Sequence, residues 1–187
     1  MSIGIIYSMK NAIIFHGVSN TPDDYWYPYL KNELVGRGYC VSVPQLPEKD
    51  TPNLSLWLER ALEEMYTPDT LLVGHSSGAS LILSILERVD VKVAQAILVA
   101  GFCMPLKEMS VNGVLQERYN WEKIRQNVVD ITFINSVNDP WGCTDIQGRT
   151  MFDQIGGKLI INRDGHMGST TYDQPYKEFP FLLKLIS

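Results

Sequence analysis

Six short apolar runs, rich in branched side chains and separated by longer segments of helical pattern, constrain this chain most: "AIIF" at 12–15, "CVSV" at 40–43, "TLLVG" at 70–74, "AILVA" at 96–100, "ITFIN" at 131–135 and "KLIIN" at 158–162. A strand with one wet face alternates apolar and polar residues. These runs are almost continuously apolar, as strands buried on both faces are. Their alternation with helical segments predicts an α/β fold, a parallel sheet covered by helices on both sides. With 187 residues, the chain is long enough for one sizeable core and short for two, and no repeat, linker or low-complexity tract divides it. One domain over 1–187 is therefore expected.

The helical segments carry start and stop signals. Thr51-Pro52 offers a capping hydroxyl and a proline at the first helical position, and Leu54, Trp57, Leu58, Ala61, Leu62 and Met65 then share a face. Another helix begins near Pro28 and ends at Gly36-Arg37-Gly38, where glycine can take the left-handed cap. The segment after Ser76 is apolar nearly all round as far as Glu87-Arg88, so a central, buried helix is expected there. The irregular stretch 101–120 reads as a small lid.

Charge and cysteine content exclude several classes. The net charge is −5, from 16 Lys+Arg against 21 Asp+Glu, with no basic cluster, so nucleic acid is not an expected partner. Cys40, Cys103 and Cys143 are odd in number, far apart and without metal-type spacing; they read as free thiols in a reducing compartment. No run approaches the length of a membrane span, and the start lacks the pattern of a signal peptide, so a cytoplasmic location is expected and the sequon at Asn53 is accidental. Met9 is an alternative start.

Chemistry concentrates in "LLVGHSSGAS", residues 71–80, where Gly74-His75-Ser76-Ser77-Gly78 has the form G-x-S-x-G between a buried strand and a buried helix. A nucleophilic serine on a sharp strand-to-helix turn needs small neighbours, and the two glycines supply them. Serine also needs a base, and the chain has three histidines. His75 adjoins Ser76, so its ring should project away from the hydroxyl and serve structure. His16, in "IIFHG", stands where a histidine orders the loop that donates N–H groups to an oxyanion. His166, on the glycine-flanked loop after the last strand, is left as the base. The acid is Asp139, after the fifth strand and fixed by Pro140; Asp145, near a helix start, and Asp164, two residues from His166, are its rivals. The oxyanion donors expected are the N–H of Ser77, which follows from the motif, and that of Val18 in "HGVSN".

With these residues in view, the chain resembles the small α/β-hydrolase family of serine hydrolases typified by retinoblastoma-binding protein nine. The resemblance rests on "GHSSGAS", the Trp57 helix, "WEKI" at 121–124, "NDPW" containing Asp139, and "DGH" ending at His166, and it spans nearly the whole chain. It implies a six-stranded parallel sheet of order 2-1-3-4-5-6 and a triad of Ser76, Asp139 and His166. Two departures stand out: "FHGVSN" lacks the glycine-rich run often found in that loop, and Asn138 replaces an acid that neighbours the aspartate in relatives.

The expected chemistry is cleavage of small carboxylic esters through an acyl-enzyme, with no cofactor or metal required. Amide and thioester substrates would use the same groups. Tyr25, Trp26, Tyr27 and Tyr29 either wall the acyl pocket or pack the first helix. A binding scaffold that keeps the fold with little turnover is the alternative class. A protein partner is conceivable from the family name, but no partner-binding motif is visible, and three intact catalytic residues argue against a pure scaffold.

Overall fold

The computed structural model describes residues 10–187; the choice between Met1 and Met9 as the start lies outside the described residues. Six strands, β1 Asn11–Phe15, β2 Cys40–Ser42, β3 Leu71–His75, β4 Val93–Val99, β5 Val128–Ser136 and β6 Lys158–Asn162, form one sheet of order β2-β1-β3-β4-β5-β6. Every pair in it is parallel. Five of the expected apolar runs coincide with these strands to within a few residues, and "CVSV" is trimmed to three. The inner strands are buried on both faces, which is why they lack alternation: β3 is buried throughout, and β1 everywhere except Asn11.

The order of strands dictates where the helices lie. Parallel strands connect through right-handed crossovers. From β1 the chain steps outward to β2 through α1 (Tyr27–Gly36), then reverses past β1 to β3 through α2 (Leu54–Leu62). The reversal puts α1 on one face and α2 on the other. The later steps continue in the same direction, through α3 (Ser77–Leu86), α4 (Trp121–Gln126) and α5 (Asp145–Ile155), and α2 to α5 pack in a row. The C-terminal α6 (Pro180–Leu185) joins α1, with Arg37 donating to the Leu183 carbonyl at 3.0 Å and Phe179 edge-on to Trp26. Such a reversal opens a crevice at the carboxyl ends of the two strands flanking it, β1 and β3. The loops from Gly17 and Ser76 begin there.

Helix α3 is buried at every position, as its apolar sequence predicts. Each of Leu81, Ile82, Leu83, Ile85 and Leu86 contributes roughly 1.5–3 kcal/mol by leaving water, which anchors the helix that carries Ser76. Helix α2 departs from expectation at both ends. Its cap is Asn53, whose side chain accepts the Leu56 N–H at 3.2 Å, and not Thr51. Pro52 is instead buried in the connection before the helix. The helix stops at Leu62, so Met65 falls beyond it and is 73% exposed. The asparagine of the sequon is thus an N-cap.

The two motif glycines are required by contact. A Cβ on Gly78 would lie 2.3 Å from the Phe15 carbonyl oxygen and 2.5 Å from that of His16, and one on Gly74 would lie 2.6 Å from Ala79 Cα. The end of β1 therefore rests directly on α3. Gly78→Ala should cost about 3 kcal/mol, since the blocking atoms are backbone and cannot turn aside. Gly36→Ala, where nothing lies within 4 Å, should instead stabilise α1 by about 0.5–1 kcal/mol. Urea midpoints of the two variants check both signs.

Candidate active site

The turn at Ser76 is strained as a nucleophile turn should be: φ is 54° and ψ is −121°, a conformation that costs an L-residue about 1–3 kcal/mol. Its backbone is held from both sides, the N–H donating to the Val99 carbonyl at 2.8 Å and the carbonyl accepting from Ala79 and Ser80 at the start of α3. Ser76 is part-exposed and lines a cleft of about 380 Å³ together with Val18, Tyr25, Trp141, Cys143 and His166.

His166 and Asp139 meet at the edge of this cleft. Both are buried, at 5% and 6% exposure, and His166 Nδ1 stands 2.7 Å from Asp139 Oδ2. The other carboxylate oxygen accepts the Trp141 N–H at 2.9 Å, so the carboxylate is aimed by its own loop. The rivals sit elsewhere: Asp145 occupies the first turn of α5, and the Asp164 N–H donates to Ser136 Oγ. The structure thus places Ser76 and His166 in the wall of one cleft, with Asp139 behind His166 as its one carboxylate partner among the described residues.

Gln174, which the sequence did not single out, and Asn138 hold this loop. Gln174 Oε1 accepts the His166 N–H at 2.7 Å, and Asn138 Oδ1 accepts the Gly165 N–H at 3.2 Å. Asn138 therefore supports the loop that carries His166. Neither contact had a signal in the sequence, because no spacing rule pairs a side-chain amide with a backbone N–H 8 or 27 residues away.

His75 is fully buried and turned into the protein. Its Nε2 stands 2.9 Å from the His166 carbonyl oxygen, which can only accept, so Nε2 carries the proton. Nδ1 then accepts from Tyr27 Oη at 2.7 Å, and Tyr27 Oη in turn accepts the Gly17 N–H at 3.4 Å. This chain ties the loop after β1 to the loop that carries His166. Burial, with the neighbouring His166 second, lowers the His75 pKa to about 3. Folding thus keeps this ring neutral where the unfolded chain would protonate it. Stability contributed by the neutral ring is complete above pH 6.5 and is lost as pH falls toward 3. On going from pH 6.5 to about pH 4, wild type should lose roughly 3 kcal/mol more than His75→Gln, measured by urea titration at each pH.

His16 behaves as expected of a loop-ordering residue. The Leu46 N–H donates to its Nε2 at 3.0 Å, leaving Nδ1–H to donate to the Gly17 carbonyl at 2.8 Å, and burial lowers its pKa. Gly17 is pressed against the serine turn, a Cβ there lying 3.1 Å from Ser76 Cβ. Among the described residues, neither the Val18 N–H nor the Ser77 N–H has a protein acceptor. The aromatic cluster divides: Trp26 and Tyr27 are fully buried core, whereas Tyr25 lines the cleft. Segment 101–120 includes a short 3-10 helix, Met109–Val114, and supplies Leu106, Glu108, Ser110 and Val111 to the cleft wall.

Fold and site together define an α/β hydrolase of the serine type. The serine hydrolase family model matches residues 12–186, and the chain belongs to that family. Among curated proteins it is 28% identical over 135 residues to YdeN of Bacillus subtilis (strain 168), covering 70% of this chain and 71% of that one. It is 27% identical over 154 residues to the serine hydrolase RBBP9 of Rattus norvegicus, covering 80% and 81%. The crystal structure of the B. subtilis ydeN gene product superposes with a TM-score of 0.87 at 24% identity, covering 94% of this chain and 96% of the other.

Proposed function

We propose that this serine hydrolase cleaves small carboxylic esters through an acyl-enzyme formed on Ser76. His166 takes the Ser76 proton as the hydroxyl attacks the acyl carbon, and Asp139 holds the imidazole with its proton on Nδ1 and stabilises the imidazolium. The oxyanion is bound by the N–H groups of Ser77 and Val18. His166 then protonates the leaving alcohol, and water releases the acid by the same path in reverse. The observation that carries this reading is the 2.7 Å Asp139–His166 hydrogen bond at a cleft shared with a strained, part-exposed serine. No step needs a metal or cofactor.

A cleft of about 380 Å³ suits a short acyl chain, being near the lower end of ordinary small-molecule sites. Esters are favoured over amides because an alcohol is the better leaving group. The three free cysteines are in keeping with a cytoplasmic setting, and among the described residues no helix is long and apolar enough to cross a membrane. The test is a matched panel of acetyl and butyryl esters, thioesters and anilides. Ester kcat/KM should exceed that for the matched anilide by about 100-fold or more. Faster anilide cleavage would make the protein an amidase, and no turnover of any acyl donor would favour the scaffold class.

A further inference from the structure

Cys143 has no part in the reaction just described, yet its side chain belongs to the same cluster. It lies on the loop between β5 and α5, fully buried, and lines the cleft beside Ser76. One sulfur from Cys143, one imidazole nitrogen from His166 and one carboxylate oxygen from Asp139 all fall within 4.8 Å of one another. Among the described residues this is the one group of three such ligands that converges.

The donor types select the metal. A thiolate, an imidazole and a carboxylate suit zinc, whereas magnesium and calcium prefer oxygen alone. Tetrahedral zinc, with bonds of about 2.0–2.3 Å, places its ligand atoms roughly 3.3–3.7 Å apart. The widest separation here must close by about 1 Å, and the Asp139–His166 pair must open slightly; both are within reach of side-chain rotation. Charge also balances, because one thiolate and one carboxylate offset the dication among three buried residues.

We propose that Asp139, Cys143 and His166 form a zinc-binding site, its fourth position open to the cleft, and that zinc bound there switches the hydrolase off. On binding, the Cys143 thiol gives up its proton to solvent and the sulfur becomes a ligand. The metal takes the place of the proton on His166 Nδ1, the nitrogen facing Asp139, and that proton moves to Nε2; with Nε2 protonated and the Asp139 carboxylate occupied, Ser76 is left without a base. The switch rests on the role assigned to His166; the binding itself does not.

Cobalt(II) is the first probe, since a thiolate ligand gives a near-ultraviolet charge-transfer band and tetrahedral geometry gives strong visible bands. Wild type and Ser76→Ala should both show them, with displacement by zinc, and Cys143→Ala and Cys143→Ser should lack the charge-transfer band. Zinc should then inhibit wild-type ester turnover reversibly, with activity restored by a chelator. Relative to its own zinc-free rate, each Cys143 variant should need about 10-fold or more additional zinc for the same inhibition. Absence of the band in folded wild type, or unchanged zinc sensitivity in both variants, would overturn the site. A band with undiminished turnover under saturating zinc would overturn the switch. If no acyl donor is turned over at all, the spectra still decide the site, and the failure belongs to the hydrolase reading.

Discussion

Ser76→Ala should lower ester kcat by about 10⁴-fold or more, leaving the urea midpoint within a few tenths of a kcal/mol of wild type. The loss is large because nothing nearby can take over. Ser77 is fully buried and its hydroxyl has no hydrogen-bond partner among the described residues, so no base reaches it. The Cys143 thiol is held protonated, its pKa pushed well above the usual thiol range by burial and then by Asp139. The fold should be little affected, since the turn is held by the backbone bonds to Val99, Ala79 and Ser80, and the side-chain contact that is lost is the hydrogen bond with Cys143. Ser76→Gly sharpens the point. It too should be inactive, but it relieves the φ of 54° and should gain about 1 kcal/mol of stability. A loss of activity that comes with a gain in stability separates the nucleophile from a structural serine, and stopped-flow turnover with urea titration measures both.

Asp139→Asn should cost about 10³–10⁴-fold in kcat with little change in KM, for a reason visible in the hydrogen bonds. Oδ1 accepts the Trp141 N–H at 2.9 Å and Oδ2 accepts His166 Nδ1–H at 2.7 Å. An asparagine must keep its single oxygen toward the Trp141 N–H, because an amide nitrogen cannot accept. Its NH₂ then faces Nδ1 and drives the His166 proton to Nε2, the nitrogen that must be bare to take the serine proton. Kinetics and ¹⁵N imidazole shifts should change together. Full activity in Asp139→Asn would hand the acid's role to Asp145 or Asp164.

Much of this was legible in the sequence because it is local. The buried strands declare themselves by unbroken apolar runs, and G-x-S-x-G names its own turn, since Gly74 and Gly78 answer contacts with Ala79 and the end of β1. Elimination among three histidines reached His166 because chain order fixes which loops follow which strands. What the sequence could not reveal depends on contacts between distant segments. Tyr27, His75 and His166 form one chain of hydrogen bonds across separations of 48 and 91 residues, and no spacing rule connects them. Asn138 was visible only as a departure, and its bond to Gly165 in the His166 loop, 27 residues on, was not. Cys143 looked like an isolated thiol until the loop after β5 folded back against Ser76. The error at Thr51 had a different origin: two adjacent capping signals competed, and burial of Pro52 left the role to Asn53.

The decisive measurement is a fluorophosphonate reaction followed by intact mass and peptide mapping, with wild type beside Ser76→Ala and His166→Ala, all verified as folded. One adduct per wild-type chain, mapped to Ser76, and no adduct on either variant is the result expected of a serine activated by His166. Failure of folded wild type to react, or an adduct on another residue that survives Ser76→Ala, would contradict the assignment of Ser76 as the nucleophile.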